Sequence, residues 1–256
     1  MTVLAAVQRE LADETARLLA TAASLTDADV RAPSLLPGWT RGHVLAHLAR
    51  NADSHVNLLT WARTGVRTPQ YPSQEDREAG IEAGAARPAA EHVVDLRDSA
   101  ARLDRAVRTL PEEAWRSPVG GLRPPYHPAW YCLVRRLREV GVHHVDLNAG
   151  YGPADWPETF VSRELKSCLL MWPYERSTIS GARFVSAAGE PLDEWSGLGD
   201  GPVVEGAPAD VLAWLTGRSS GDGVRVVPGG EPVPPPPPWL TGTAPADLPA
   251  TPPEDY

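Results

Sequence analysis

Lysine is nearly missing from this chain: Lys166 is the single one in 256 residues, and the other basic side chains are arginines. With abundant alanine, glycine and proline, this reads as the bias of a GC-rich genome and not as a physical adaptation. Positive charge is scarce overall. Lysine and arginine total 24 against 33 acids, a formal net charge of -9. That balance argues against nucleic acid as the partner, since such binders carry a basic face, but it leaves room for a local pocket that takes a small anion. Cysteine is limited to Cys132 and Cys168, far apart and in no CxxC pair. The pattern predicts two free thiols in a reducing cytoplasm and no disulfide framework. No apolar run is long enough to span a bilayer. The opening "MTVLAAVQRELADETARLL" carries acids too early for a signal peptide. The expected setting is the cytoplasm, away from membranes.

What is present is a globular composition, 42% hydrophobic and 22% charged, in a chain long enough for one large domain or two ordinary ones. The first 150 residues read as helices. Leu4, Val7, Leu11 and Leu18 recur at helical spacing, with Asp13, Glu14 and Arg17 between them. After a break with two prolines, Thr40 stands as an N-cap before "RGHVLAHLARNADSHVNLLTWART", and Gly65 stops that helix. Its apolar stripe is Val44, Leu48, Ala52, Val56 and Leu59. The polar segment "PQYPSQEDREAGIEAGAARP" reads as a long connection with one short helix. A third long helix is predicted over 89–110 and a fourth over 128–148, the latter with Leu133, Leu137, Val140 and Leu147 on its apolar face. Four amphipathic helices with long connections predict a four-helix bundle, an architecture that builds metal sites from facing helices.

Beyond "GYGPADWP" the texture changes to a helix, "ETFVSRELKSCLLMW", and short strand-like runs, "ARFVSA", "VVEG" and "VRVVP", with a helix in "APADVLAWLTGR". The expected organisation is a helical bundle over 1–152, a smaller α+β domain over 153–240, and a proline-rich, disordered tail over 241–256.

Two polar stripes interrupt the helical pattern. Glu139 and His143 are four residues apart and share a face, followed by His144 and Asp146. On the second helix, His43, His47, Asn51 and His55 recur every four residues. If those helices face one another, two imidazoles and a carboxylate meet with a fourth position open, an arrangement common in catalytic zinc sites and suited also to nickel or iron. The same residues also read as hydrogen-bonded core histidines and as a helix-supporting Glu–His pair.

"PGWTRGHVLAHLARNAD" (37–53) and "EVGVHHVDLNAGYGPADWP" (139–157) resemble the mycothiol-dependent maleylpyruvate isomerase family, whose N-terminal domain is a DinB-like metal-binding bundle. The "ADVLAWLTGR" and "PPWL" segments resemble the family's smaller domain. The resemblance implies zinc held by His47, Glu139 and His143, and leaves His43, His55 and His144 as supporting residues. Asp146 reads either as a carboxylate that orients a ligand histidine or as a group that caps or solvates the helix end. The resemblance points to Arg77 and Arg218 as the groups that hold an anionic substrate. Trp39 and Asn51 are expected to pack and cap. Gly141, inside the fourth helix between the two ligands, departs modestly from helix propensity.

The implied activity is isomerisation of maleylpyruvate to fumarylpyruvate, with mycothiol as the thiol cofactor. Partners are then a small-molecule thiol and a small dianionic substrate. Two other readings stay open at this point. One is a zinc-dependent mycothiol S-transferase acting on another electrophile. The other, from a different class, is a metal-binding regulatory module, against which stand the poorly spaced cysteines and the separate α+β domain.

Overall fold

The apolar spacing of the first residues becomes a helix, α1 (Val3–Ser24), in the computed structural model of the chain, which describes residues 2–121, 124–240, 242, 244–254 and 256. Val7, Leu11, Leu18 and Ala22 are buried along it. Glu14, set by the sequence pattern among the polar positions, is only 1% exposed. Its place midway between Leu11 and Leu18 puts it on the buried stripe. Its Oε2 accepts from the Tyr151 hydroxyl at 2.9 Å. Burial raises its carboxyl above the ordinary value, against the pull of Tyr151 and Arg17.

A short helix, α2 (Asp27–Arg31), fills the predicted break, capped by Thr26. Next comes α3 (Arg41–Thr64), with both ends where the sequence puts them. The Thr40 side chain accepts from the His43 backbone N–H, and the Thr40 backbone N–H donates to His43 Nδ1. Gly65, at φ +71°, closes the helix with a left-handed cap. The remaining helices of this part are α4 (Gln74–Ala85), α5 (Ala89–Arg108) and α6 (Tyr131–Asp146). Helices α1 and α3 each pack on both α5 and α6, which makes the expected four-helix bundle. Because α3 also meets α2 and α4, it is buried on several sides, and its sequence shows little amphipathicity for that reason.

The segment read as a long connection with one short helix holds that helix, α4, which runs for three turns. It approaches α3 through small residues. A Cβ on Gly84 would lie 2.8 Å from the Ala46 Cβ, and one on Gly42 would lie 2.2 Å from the Ala85 carbonyl oxygen. Between α5 and α6, β1 (Pro118–Val119) pairs antiparallel with β2 (His127–Pro128), where the sequence suggests only a proline-rich turn. Leu122 and Arg123 of that turn lie outside the described residues.

Contacts divide the chain into two units, Met1–Tyr151 with Thr243–Tyr256, and Gly152–Gly242. The second unit holds α7 (Glu158–Leu170), β3 (Gly181–Val185), β4 (Pro191–Ser196), β5 (Val203–Gly206), α8 (Pro208–Leu215) and β6 (Val224–Val227). The sheet order is β4-β3-β5-β6, with β3 and β5 parallel and the other pairs antiparallel. Strand β4 is not foreseen from sequence. It is an edge strand with Trp195 as its one buried side chain, so it lacks the alternation that marks a strand. Helix α8 packs on β3, β5 and β6. The proline run is tied to it: the Trp214 indole N–H donates to the Pro234 carbonyl, and that of Trp239 donates to the Leu215 carbonyl, each at 3.0 Å.

The tail expected to be disordered instead packs on the bundle. The Trp130 indole N–H donates to the Pro249 carbonyl at 3.0 Å, and the Tyr256 ring meets Trp130 edge-on at 5.2 Å. Proline stiffens the unfolded chain and so lowers the entropy lost on docking, and the aromatic end supplies an anchor. Residues 241, 243 and 255 lie outside the described residues. Among those described, no helix is long and apolar enough to cross a membrane.

Candidate metal centre

Helix α3 presents His47 to α6, which presents Glu139 and His143 one turn apart. His47 Nε2 lies 2.8 Å from Glu139 Oε2, and His143 Nε2 lies 3.4 Å from the same oxygen. The two imidazole rings meet edge to face, with centroids 4.6 Å apart. One ligand atom from each of the three residues lies within 4.8 Å of the others. His47 is 2% exposed, whereas the Glu139 side chain is 27% exposed, so the cluster opens to solvent on the α6 side.

The electrostatics prepare these groups to act as ligands. Burial pushes the His47 imidazole down to about 4, more than Glu139 raises it, so it stays neutral and keeps a lone pair. Burial works to raise the Glu139 carboxyl, but hydrogen bonds from His143 and His47 outweigh it and hold the group well below the ordinary carboxylate value. Burial also works to lower His143, and there the carboxylates of Asp146 and Glu139 win and raise it. Asp146 Oδ2 accepts from His143 Nδ1 at 2.7 Å, which turns Nε2 toward the cluster. Two imidazoles and one carboxylate, with the outer nitrogen of one ring already held by a carboxylate, fit a divalent metal such as zinc.

The other histidines separate by geometry. His43 belongs to the α3 cap, its Nδ1 2.7 Å from the Thr40 hydroxyl oxygen, and it stacks beside Trp39. Trp39 also covers His47, at 5.7 Å between centroids. His144 faces α1, with Nε2 2.8 Å from the Thr21 hydroxyl and its ring stacked 3.7 Å from Tyr151. His55 is buried in the core, where its Nδ1 donates to the Asn51 carbonyl at 2.9 Å. Asn51 Oδ1 accepts from Arg136 Nη1 at 2.8 Å.

Arg77, on α4, reaches the cluster: its Nη2 lies 3.4 Å from His47 Nδ1, and its guanidinium sits 6.0 Å from the centroid of the Tyr71 ring. Arg218 lies in the second unit just past α8, where its Nη1 donates to the Thr216 carbonyl. Sequence reasoning passes over three buried arginines of α6, Arg135, Arg136 and Arg138. The signal for Arg135 is present, because it stands four residues before Glu139 on the stripe that carries His143.

Both the sequence and the fold have known relatives. The sequence profile of the mycothiol maleylpyruvate isomerase N-terminal domain matches residues 11–148. A crystal structure of the mycothiol-dependent maleylpyruvate isomerase superposes with a TM-score of 0.81 at 31% identity, covering 91% of this chain and 96% of that one. A crystal structure of a histidine-to-alanine mutant of a protein with the same name superposes with a TM-score of 0.80, at the same identity and coverage. No curated protein sequence gives a significant match.

Proposed function

Because the chain belongs to the mycothiol maleylpyruvate isomerase family, a family of enzymes, we propose that it converts maleylpyruvate to fumarylpyruvate at a zinc ion held by His47, Glu139 and His143, with mycothiol as cofactor. The observation that carries this reading is the convergence of two imidazoles and an ionised carboxylate from α3 and α6 within 4.8 Å. Bound there, zinc would supply the positive charge that keeps a thiol as thiolate at neutral pH, the nucleophile that a reversible addition to and elimination from the cis double bond requires.

The chain's own residues prepare for that chemistry. His47 offers an unprotonated nitrogen, Glu139 stays ionised, and Asp146 fixes the ring of His143. Arg77 stands beside His47 with a guanidinium suited to a substrate carboxylate. Arg218 is assigned the same role on the resemblance of its segment. The chain's own sulfur is a poor nucleophile, since burial pushes the Cys132 thiol up to about 12 and Cys168 is fully enclosed. The attacking sulfur therefore comes with the cofactor. Small-molecule chemistry in the cytoplasm suits an enzyme whose two cysteines are buried and outside any disulfide.

His47→Ala and His143→Ala are expected to lose bound zinc and isomerase activity together, read by metal analysis and product formation on the same samples. Either variant retaining both would sink the assignment.

A further inference from the structure

Arg135 is 8% exposed, one helical turn before Glu139 on the same face of α6. Its Nη1 donates to His127 Nε2 at 3.0 Å and its Nη2 to Gln70 Oε1 at 3.1 Å. Both acceptors are neutral. Burial, with Arg135 itself, pushes His127 down to about 3, and the His127 Nδ1–H donates to the Pro128 carbonyl. Arg136, beside it, donates to the Leu48 carbonyl and to Asn51 Oδ1. Among the described residues, no carboxylate forms an ion pair with either guanidinium. The nearby carboxylate that acts on both is Glu139, and His47 and His143 already engage it. Two buried cations with so little compensation are costly, and an anion brought by a ligand relieves that cost.

His55 supplies a second, independent sign. Its Nδ1–H is spent on the Asn51 carbonyl, so its Nε2 bears a lone pair. That atom is buried and has no hydrogen-bond partner among the described residues. The charge of Arg135 acts on the same ring. Helices α3 and α6 run antiparallel, with His47 against Glu139 and His143, and Asn51 against Arg136. His55 and Arg135 therefore lie further along the same interface, Arg135 about 6 Å along the axis from Glu139. A group that seeks a carboxylate stands near one that seeks an O–H, a short carbon chain away from the metal ligands.

We propose that Arg135 and His55 form the pocket for the 2-oxo acid end of the substrate, Arg135 taking the carboxylate and His55 Nε2 accepting the O–H of the enol. This rests on the isomerase reading above, whose substrate carries a pyruvyl group that can enolise beside its carboxylate. The double bond at the other end of the molecule then faces His47, Glu139 and His143. Specificity for a 2-oxo acid, and not merely for a dianion, follows from this pairing.

The test uses acetylpyruvate, which has the 2,4-dioxo acid end and no double bond, and its methyl ester, which has no carboxylate. Each is titrated calorimetrically into the zinc-loaded full chain. The acid is expected to bind at least about tenfold tighter than the ester, the scale of a charge-assisted hydrogen bond. Arg135→Gln is expected to erase that preference with zinc content unchanged. Gln70→Glu sets a carboxylate against Arg135 within the protein, so it is expected to raise the melting temperature while removing the same preference, and it serves if Arg135→Gln fails to fold. His55→Phe is expected to weaken acid and ester alike, since both enolise. Equal binding of acid and ester to the wild type, a preference that survives a folded variant of Arg135 or Gln70, or unchanged binding in His55→Phe overturns the pocket. None of these readings needs mycothiol or turnover. Failure of the isomerase reading shows separately, as a zinc-loaded wild type without mycothiol-dependent turnover.

Discussion

Asp146 holds the outer nitrogen of His143 at 2.7 Å, and no other carboxylate is seen at that atom among the described residues. A ligand ring fixed in this way costs less to order when a metal arrives, and the carboxylate makes the imidazole a better donor. Asp146→Asn keeps the size and removes the charge. On the proposed zinc site, it is expected to weaken metal affinity by roughly 10–100-fold with helix content unchanged, measured by competition with a chromophoric chelator. Unchanged affinity would mean that Asp146 only caps the end of α6. At this scale the pair Glu139 and His143 is readable from spacing, because four residues bring two side chains to one face. The choice of His47 among the histidines of α3 is not, since His43, His47 and His55 share the same spacing. Burial and partners separate them: His43 is absorbed by the helix cap, and His55 lies further along the interface.

Helices α3 and α4 depend on the absence of side chains where they touch. Gly42→Ala would drive a Cβ to 2.2 Å from the Ala85 carbonyl oxygen, so backbone must move. The expected cost is about 1–3 kcal/mol, the usual range for overpacking. Gly80, also in α4, offers the control. Its added Cβ meets only the stem of Arg50, at 3.7 Å, in ordinary contact. Gly80→Ala is expected to stabilise the protein by roughly 0.5–1 kcal/mol through helix propensity. Denaturant melts of the two variants should therefore move in opposite directions, and a shift of both in one direction would contradict the packing described. The element ends of α3 are legible in the sequence because Thr40 and Gly65 carry local chemistry. Helix α4 is foreseen only as a short helix within a connection, because its contact is hidden in glycine and alanine, and strand β4 is not foreseen, because it has a single buried side chain.

Across the whole molecule, the polar interior sets the response to acid. Burial holds His55 and His127 at about 3, against an ordinary value of 6.5. As the pH falls below 6.5, the unfolded chain takes up protons that these two sites refuse until about pH 3. Their contribution is fully present above pH 6.5 and is lost between 6.5 and 3, at up to about 1.4 kcal/mol per pH unit for each histidine. His143, raised by Asp146 and Glu139, acts in the opposite sense, but His47, pushed down to about 4, acts with the other two. The metal-free protein is therefore expected to melt at lower temperature at pH 5 than at pH 7.5, and a flat profile would contradict the burial of these rings as neutral groups. The two-part architecture, bundle then α+β, is legible from the change of texture after residue 150. The docking of the C-terminal segment is not, because composition favours disorder and the anchoring contacts to Trp130 are distant in sequence.

Function turns on whether the residues joined across α3 and α6 hold a metal that works with a thiol cofactor. The direct measurement follows fumarylpyruvate in zinc-loaded protein supplied with maleylpyruvate and a catalytic amount of mycothiol. The proposed chemistry predicts many turnovers per mycothiol, none without it, and no net loss of thiol. Zinc-loaded protein that forms no product, or that consumes one thiol for each substrate, would contradict it.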